Sequence, residues 1–320
     1  MIQNLPPGHL KVFDPAIDAE QVIRLIEESF QLQNDPESRL VIEQMRRAVD
    51  RQNLLGILNA EEVRQPGYVW LIDGQIVGNI NIISFLDNLR HIALIANVAV
   101  KPEFQHLGIA KALTKQALRY CEQTRASEVW LQVSQENVAA HKLYLGLGFE
   151  IVRPVNNWLI EKKPSAFVPS TNDMPSETKI GSRMFWDYPK QKVWLEETYP
   201  VNTRWYASVD FAQFPPLSWL NPFTWDSASR LNHFILRKQG ELLGVLSWQR
   251  GLQKSDYLWL AIPENEKEAE TIAALMGYFL QNEWEGKTLR LEYPGGRAED
   301  SLATAGFKLN RRLQWMKLKL

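Results

Sequence analysis

Asn97-Val98-Ala99-Val100-Lys101-Pro102-Glu103-Phe104-Gln105-His106-Leu107-Gly108-Ile109-Ala110 opens the stretch on which this 320-residue chain turns. Asn137-Val138-Ala139-Ala140-His141-Lys142-Leu143-Tyr144-Leu145-Gly146-Leu147-Gly148-Phe149 closes it. An apolar strand ending Val98-x-Val100 runs into a turn of small residues and then into a helix. Along that helix Ala112, Leu113, Gln116, Ala117 and Tyr120 mark about four turns of one amphipathic face. Val129–Val133 is a second strand, and Ala139–Leu147 a short helix ended by Gly148. Such a strand-to-helix junction aims backbone N–H groups at whatever lies before the helix, and a phosphate suits that place.

The flanking sequence builds the same kind of layer. Leu10–Phe13 reads as a short strand, followed by a turn and helix cap at Asp14-Pro15-Ala16-Ile17-Asp18. Val22, Ile23, Leu25, Ile26 and Phe30 recur at helical spacing, and a further helix from about Ser38 carries Val41, Ile42, Met45 and Val49. Tyr68–Ile72 and Ile76–Ile83 form a hairpin about Asp73-Gly74, and Ile92–Val100 is apolar enough for a central strand covered on both faces. Phe149–Val152 and Trp158–Ile160 read as two closing strands. The order β, α, α, β, β, β, α, β, α, β, β gives the fold class: α/β of the α+β kind, a mixed sheet flanked by helices.

That order occurs twice. Ile72-Asp73-Gly74-Gln75-Ile76-Val77-Gly78 is echoed by Lys238-Gln239-Gly240-Glu241-Leu242-Leu243-Gly244, Val100-Lys101-Pro102 by Leu260-Ala261-Ile262-Pro263, and Gly148-Phe149 by Gly306-Phe307. A repeat of this kind says that one fold is used in tandem. Residues 1–163 and 180–320 are the expected domains, with the Pro- and Ser-rich 164–179 as linker. The copies differ where chemistry would sit. After Pro263 comes Glu264-Asn265-Glu266-Lys267-Glu268-Ala269-Glu270, whose carboxylates would repel an anion, and no tyrosine precedes Gly306. The second copy is expected to be degenerate.

Composition bounds the partners. A net charge of −1 advertises no polyanion-binding surface, so nucleic acid is not expected. The lone Cys121 excludes an internal disulfide and fits a reducing compartment. The opening Met1-Ile2-Gln3-Asn4-Leu5-Pro6 lacks the order of a signal peptide, and no apolar run approaches the roughly 20 residues of a membrane helix. A cytoplasmic protein without membrane partners is expected. The five histidines stand at no ligand spacing, so no metal site is expected. Nine of twelve tryptophans follow Trp158. They suit a bulky core and domain interface, or more sharply an acceptor pocket involving Trp205 and Trp219.

Val98-x-Val100-x-Pro102, Gln105-x-x-Gly108-x-Ala110 and Asn137-x-x-Ala140-x-x-Leu143-Tyr144-x-x-x-Gly148-Phe149 together resemble the two cofactor motifs of the GCN5-related N-acetyltransferase (GNAT) family. The resemblance covers residues 1 to about 163 closely and 180–320 as an echo of fold, so the whole looks like two tandem GNAT-like domains. It implies acetyl-CoA as cofactor and an amine of a small molecule or peptide as acceptor, attacked without an acyl-enzyme. Val98, Ala99 and Val100 would meet the pantetheine arm and acetyl group. Amides of Gln105, His106, Leu107, Gly108, Ile109, Ala110 and Lys111 would hold the pyrophosphate. Asn137 would bond the pantetheine amide, and Tyr144 would act as general acid on the leaving thiolate. The strand His91-Ile92-Ala93-Leu94-Ile95-Ala96-Asn97-Val98 carries no carboxylate, which leaves His91 as the candidate base by its titration range and Asn97 as a holder of water. Leu131-Gln132-Val133-Ser134 lacks the charges of the Leu-Glu-Val-Arg stretch common in ribosomal-protein alanine acetyltransferases. A small amine is as well supported as a protein terminus. The alternative is a non-catalytic acyl-CoA-binding or interaction module. Oligomeric state is not encoded.

Overall fold

In the computed structural model, residues 7–29, 66–87, 90–162, 178–200, 214–216, 231–251 and 255–320 are described here. The second helix expected from Ser38, residues 164–177 of the expected linker 164–179, and Trp205, Trp219 and Trp225 lie outside them, while residues 178 and 179 of that linker belong to a strand. The chain forms two compact units. The first comprises residues up to Val133, Asn137–Val152 and Trp315–Leu320; the second comprises Ser134–Glu136 and Arg153–Gln314. Both main boundaries between the units fall inside strands, between Val152 and Arg153 and between Gln314 and Trp315.

In the first unit β1 (His9–Val12), β2 (Gly67–Ile72), β3 (Gln75–Asp87), β4 (Arg90–Val100) and β5 (Glu128–Ser134) lie side by side, with the end of β12 (Lys308–Lys319) beside β5. Pairing is antiparallel except β4–β5, which is parallel. The sheet is mixed, as the element order requires. α1 (Pro15–Ser29) is started by Asp14, whose Oδ1 accepts from the Ala16 amide at 3.0 Å, while Asp18 accepts from the Asp14 amide at 2.8 Å. Its Val22, Ile23, Leu25 and Ile26 cover Val69, Ile76 and Ala99 on one face of the sheet. α2 (Ile109–Gln123) covers the other face through Ile109, Leu113, Ala117 and Cys121, four residues apart and all buried. Met316 of β12 is part of this second core.

The second unit repeats the plan. β7 (Thr178–Ser182), β8 (Leu231–Lys238), β9 (Glu241–Gln249) and β10 (Ser255–Ala261) are antiparallel, and β10–β11 (Thr288–Pro294) is parallel. α4 (Tyr188–Thr198) lies on one face and α5 (Glu268–Asn282) on the other. α6 (Glu299–Thr304) precedes β12. The repeated glycine has the same use in each unit. A Cβ on Gly78 would come within 2.8 Å of Ile109 Cγ2, and one on Gly244 within 2.6 Å of Thr271 Cγ2. Each glycine lets the long helix press onto its strand.

The closing segment corrects the sequence reading. β6 (Glu150–Ile160) is one strand of 11 residues rather than two short ones. Pro154 has no N–H to donate, and it sits just before the register with β11 begins at Val155↔Pro294. No donor is required of it on the β11 side, and the strand continues through the proline. Among the described residues no helix is long and apolar enough to cross a membrane.

Candidate active site

The site begins where β4 parts from β5. Their parallel register runs from Ile92↔Glu128 to Ile95↔Leu131, whereas β4 continues to Val100. On its other side β4 pairs β3 with a shift: Asn81 opposes Ala96, and Asn79 opposes Ala99. Asn97 and Val98 thus stand against the single residue Ile80, which is a β-bulge. Asn97 carries φ +53°, a left-handed conformation that asparagine tolerates better than most residues.

The chain then turns through Pro102–Phe104, and the Gln105 side chain donates to the Val100 carbonyl at 3.1 Å. His106 (φ +62°) and Gly108 (φ +89°) are both left-handed, and Gly108 is the N-cap of α2. No side chain caps this helix and no acidic residue stands in its first turn. The first-turn amides of a helix have no partner within it, and the dipole of this 15-residue helix favours negative charge at that end. A Cβ on Gly108 would point into open space, so the approach to these amides is clear.

The far wall is α3 (Val138–Leu145). Asn137 caps it, its Oδ1 accepting from the Ala140 amide at 3.0 Å. Its amide nitrogen is left for other use. The helix ends at Leu145, two residues sooner than expected. Gly148, with φ +93°, returns the chain so that the Phe149 amide donates to the Tyr144 carbonyl at 3.0 Å. The Tyr144 ring packs edge-on against Phe149, centroids 5.7 Å apart. The Gly-Phe pair therefore fixes the tyrosine. Tyr144 is 5% exposed, and burial pushes its hydroxyl up to about 12.

These walls enclose a cleft of about 370 Å³. Val98 and Val100 line it from β4, Gln105, His106 and Gly108 from the turn, Ile109, Ala110 and Lys111 from α2, and Asn137 and Tyr144 from α3. Ten of the expected residues meet in one place. Ala99 does not: its side chain is buried on the opposite face among the α1 contacts. Leu107 is exposed outside the cleft. His91 is a correction. It stands seven residues before Val98, roughly 20 Å away at the rise of a strand, and its Nδ1 lies 3.0 Å from the Thr124 carbonyl. It serves the α2–β5 turn and cannot reach the cleft. Its chemistry suited a base, but its place on the strand does not.

Phe104, Ala139, Ala140 and Leu143 also line the cleft. The small Ala139-Ala140 pair, matching Gly108-x-Ala110 across the cleft, was the signal available for them. Cys121 is absent from the lining. It is fully buried under α2, and burial pushes its thiol up to about 12, so it offers no thiolate nucleophile.

The equivalent junction of the second unit is closed from within. Glu268, in the first turn of α5, is buried and accepts from the Tyr293 hydroxyl at 2.6 Å and from Arg297 Nη2 at 2.7 Å. A carboxylate of the chain itself occupies the electropositive helix end. Glu268→Ala would take the closer carboxylate from Arg297, whose side chain is 14% exposed and keeps Glu264 at 3.6 Å, and would leave the Tyr293 hydroxyl without this acceptor. Losing these buried bonds costs about 3 kcal/mol. Calorimetry should show a melting temperature lower by roughly 5–10 °C, with ligand binding in the first unit unchanged. A melting temperature within a degree of wild type would mean that the cluster is dispensable.

The profile of the acetyltransferase (GNAT) family matches residues 21–149. The [ribosomal protein bS18]-alanine N-acetyltransferase of Haemophilus ducreyi is 36% identical over 80 residues, 24% of this chain and 55% of that one. N-acetylaspartate synthetase of Xenopus tropicalis is 29% identical over 102 residues, 31% of this chain and 36% of that one. The chain thus spans about half of the first relative and about a third of the second. A solved tandem GNAT protein from the clavulanic acid biosynthesis pathway superposes with a TM-score of 0.54 at 14% identity, over 97% of this chain and 98% of that one, a likeness of fold.

Proposed function

We propose, on the footing that residues 21–149 form a domain of the GNAT acetyltransferase family, that the protein is an acetyl-CoA-dependent N-acetyltransferase working from its first unit. The observation that carries this is the meeting of three features in one cleft: a released edge of β4, an uncapped helix start and a buried tyrosine hydroxyl.

The residues present fit the cofactor. Unpaired amides at the start of α2, with Lys111 beside them, suit a pyrophosphate. Val98, Phe104 and Leu143 offer apolar wall to a pantetheine arm, and Asn137 an amide donor. Acetyl-CoA would supply a thioester carbonyl open to direct attack by an amine. Tyr144 would donate its hydroxyl to the departing sulfur. A phenol held near 12 facing a thiol of about 8.5 resists complete proton transfer by roughly 5 kcal/mol. Tyr144 would therefore serve first as a hydrogen-bond donor to growing negative charge on the sulfur and would transfer its proton late.

The lining contains no carboxylate among the described residues. This bears on the acceptor. Without a carboxylate there to take its proton, an amine that arrives already neutral is favoured. An α-amine of pKa about 8 is neutral at pH 7 a few hundredfold more often than a lysine of about 10.4. We therefore favour the α-amine of a peptide terminus. The printed name of the first relative, a ribosomal-protein alanine N-acetyltransferase, agrees with a protein acceptor. The same missing carboxylate favours the second reading, an acyl-CoA-binding module without turnover. Thiol release from acetyl-CoA across a panel of α-amines and ε-amines separates the two. Turnover with α-amines supports the enzyme; tight binding with no turnover on any amine supports the module.

A further inference from the structure

We infer that Asn79, with Asn81 and Asn97, forms an amide clamp that holds the β4 bulge open, making Asn79 a positioning residue for the acyl end of the cofactor. This rests on the reading of the cleft as an acetyl-CoA site.

All three side chains converge behind the bulge. Asn79 Nδ2 donates to the Asn97 carbonyl at 2.8 Å and to Asn81 Oδ1 at 2.9 Å, and Asn97 Nδ2 donates to the same Asn81 oxygen at 3.2 Å. A bulge leaves its extra residue out of the ladder. Asn79 supplies, from a side chain, a donor to the Asn97 carbonyl. Asn79 is wholly buried, and its own Oδ1 has no partner. A buried polar atom left unpaired costs stability, so an asparagine here is unfavourable unless its other bonds matter.

The chain contains its own control. Counted from Gly78 and Gly244, the positions of Asn79 and Asn81 are held by Val245 and Ser247. There β9 and β10 pair without a shift from Tyr257↔Gln249 to Ala261↔Val245. The copy with the amides has the bulge, and the copy with valine has a regular strand. Val98, which lines the cleft, directly follows the clamped Asn97. The clamp therefore sets where the released β4 backbone meets a ligand, while the amides at the start of α2 are untouched by it.

The test is Asn79→Val, which installs the residue of the second copy, with Asn79→Ala beside it in case the larger change misfolds. Hydrogen exchange on the ligand-free chain should show amides of 97–100 altered at least ~10-fold, slower where the ladder closes into the regular pairing of the second copy and faster where it loosens, with α2 unchanged. Unaltered exchange there overturns the clamp whether or not the protein is an enzyme. Calorimetry with acetyl-CoA and with coenzyme A should show acetyl-CoA weakened about tenfold and coenzyme A within about twofold, since the two differ in the acyl group alone. Equal weakening of both, or of neither, overturns the positioning role. If wild-type protein binds neither, the acetyl-CoA reading fails and the exchange result alone judges the clamp.

Discussion

Gly108→Glu is expected to remove coenzyme A binding from a protein that still folds. Position 108 combines φ +89°, open space beyond a built Cβ, and the start of α2. A side chain there costs about 1–2 kcal/mol for the left-handed backbone, which should lower the melting temperature by several degrees. The larger effect is on the ligand. A carboxylate about 4 Å from a phosphate, at an effective dielectric near 20, is opposed by about 4 kcal/mol, on the order of a thousandfold in affinity. Gly108→Asn separates the two effects, because asparagine accepts the same backbone region without adding charge. Calorimetry should find Gly108→Asn close to wild type and Gly108→Glu without measurable heat. Affinity within about threefold of wild type in Gly108→Glu would place the phosphate site elsewhere.

Tyr144→Phe should leave the fold and the cofactor affinity in place and reduce kcat roughly a hundredfold, the usual scale for loss of one positioned proton donor. The ring keeps its edge contact with Phe149 and the backbone turn at Gly148 is unchanged. A fall in affinity with kcat preserved would make the hydroxyl a binding group instead. The same substitution has a signature in stability. An unfolded tyrosine titrates near 10, whereas the buried hydroxyl is held up to about 12. Between those values the unfolded chain loses its proton and the native one keeps it. The native advantage is full below pH 10 and declines as pH rises towards 12, by about 2–3 kcal/mol. Urea unfolding from pH 9 to 12 should show that decline in wild type and a shallower one in Tyr144→Phe.

What the sequence discloses about this site follows the distance over which each feature is encoded. Gly108, Asn137, Tyr144 and Gly148 act through their own turns and caps, and neighbouring residues reveal them. Val98 and Val100 are legible because the strand that holds them is continuous. Asn79 and Asn81 are silent in the sequence, because their use depends on which residues of β4 they face, and a shift of one residue decides that. His91 shows the reverse failure: residue type was informative, and its distance along the strand was not weighed. The residues between Val152 and Trp158 carry no apolar run, so that β6 continues through them is fixed by its pairing with another strand, β11.

The first unit takes its final strand, Trp315–Leu320, from beyond the whole of residues 153–314. Trp315 packs edge-on against Trp130 at 5.9 Å, and the Leu320 amide donates to the Ser127 carbonyl at 3.3 Å. Domains made first on a ribosome generally fold first. Here the first unit cannot be completed until residues 315–320 have been translated. A fragment ending near residue 163 would lack Met316 from its core, so the smallest faithful expression unit of the cleft is the entire chain.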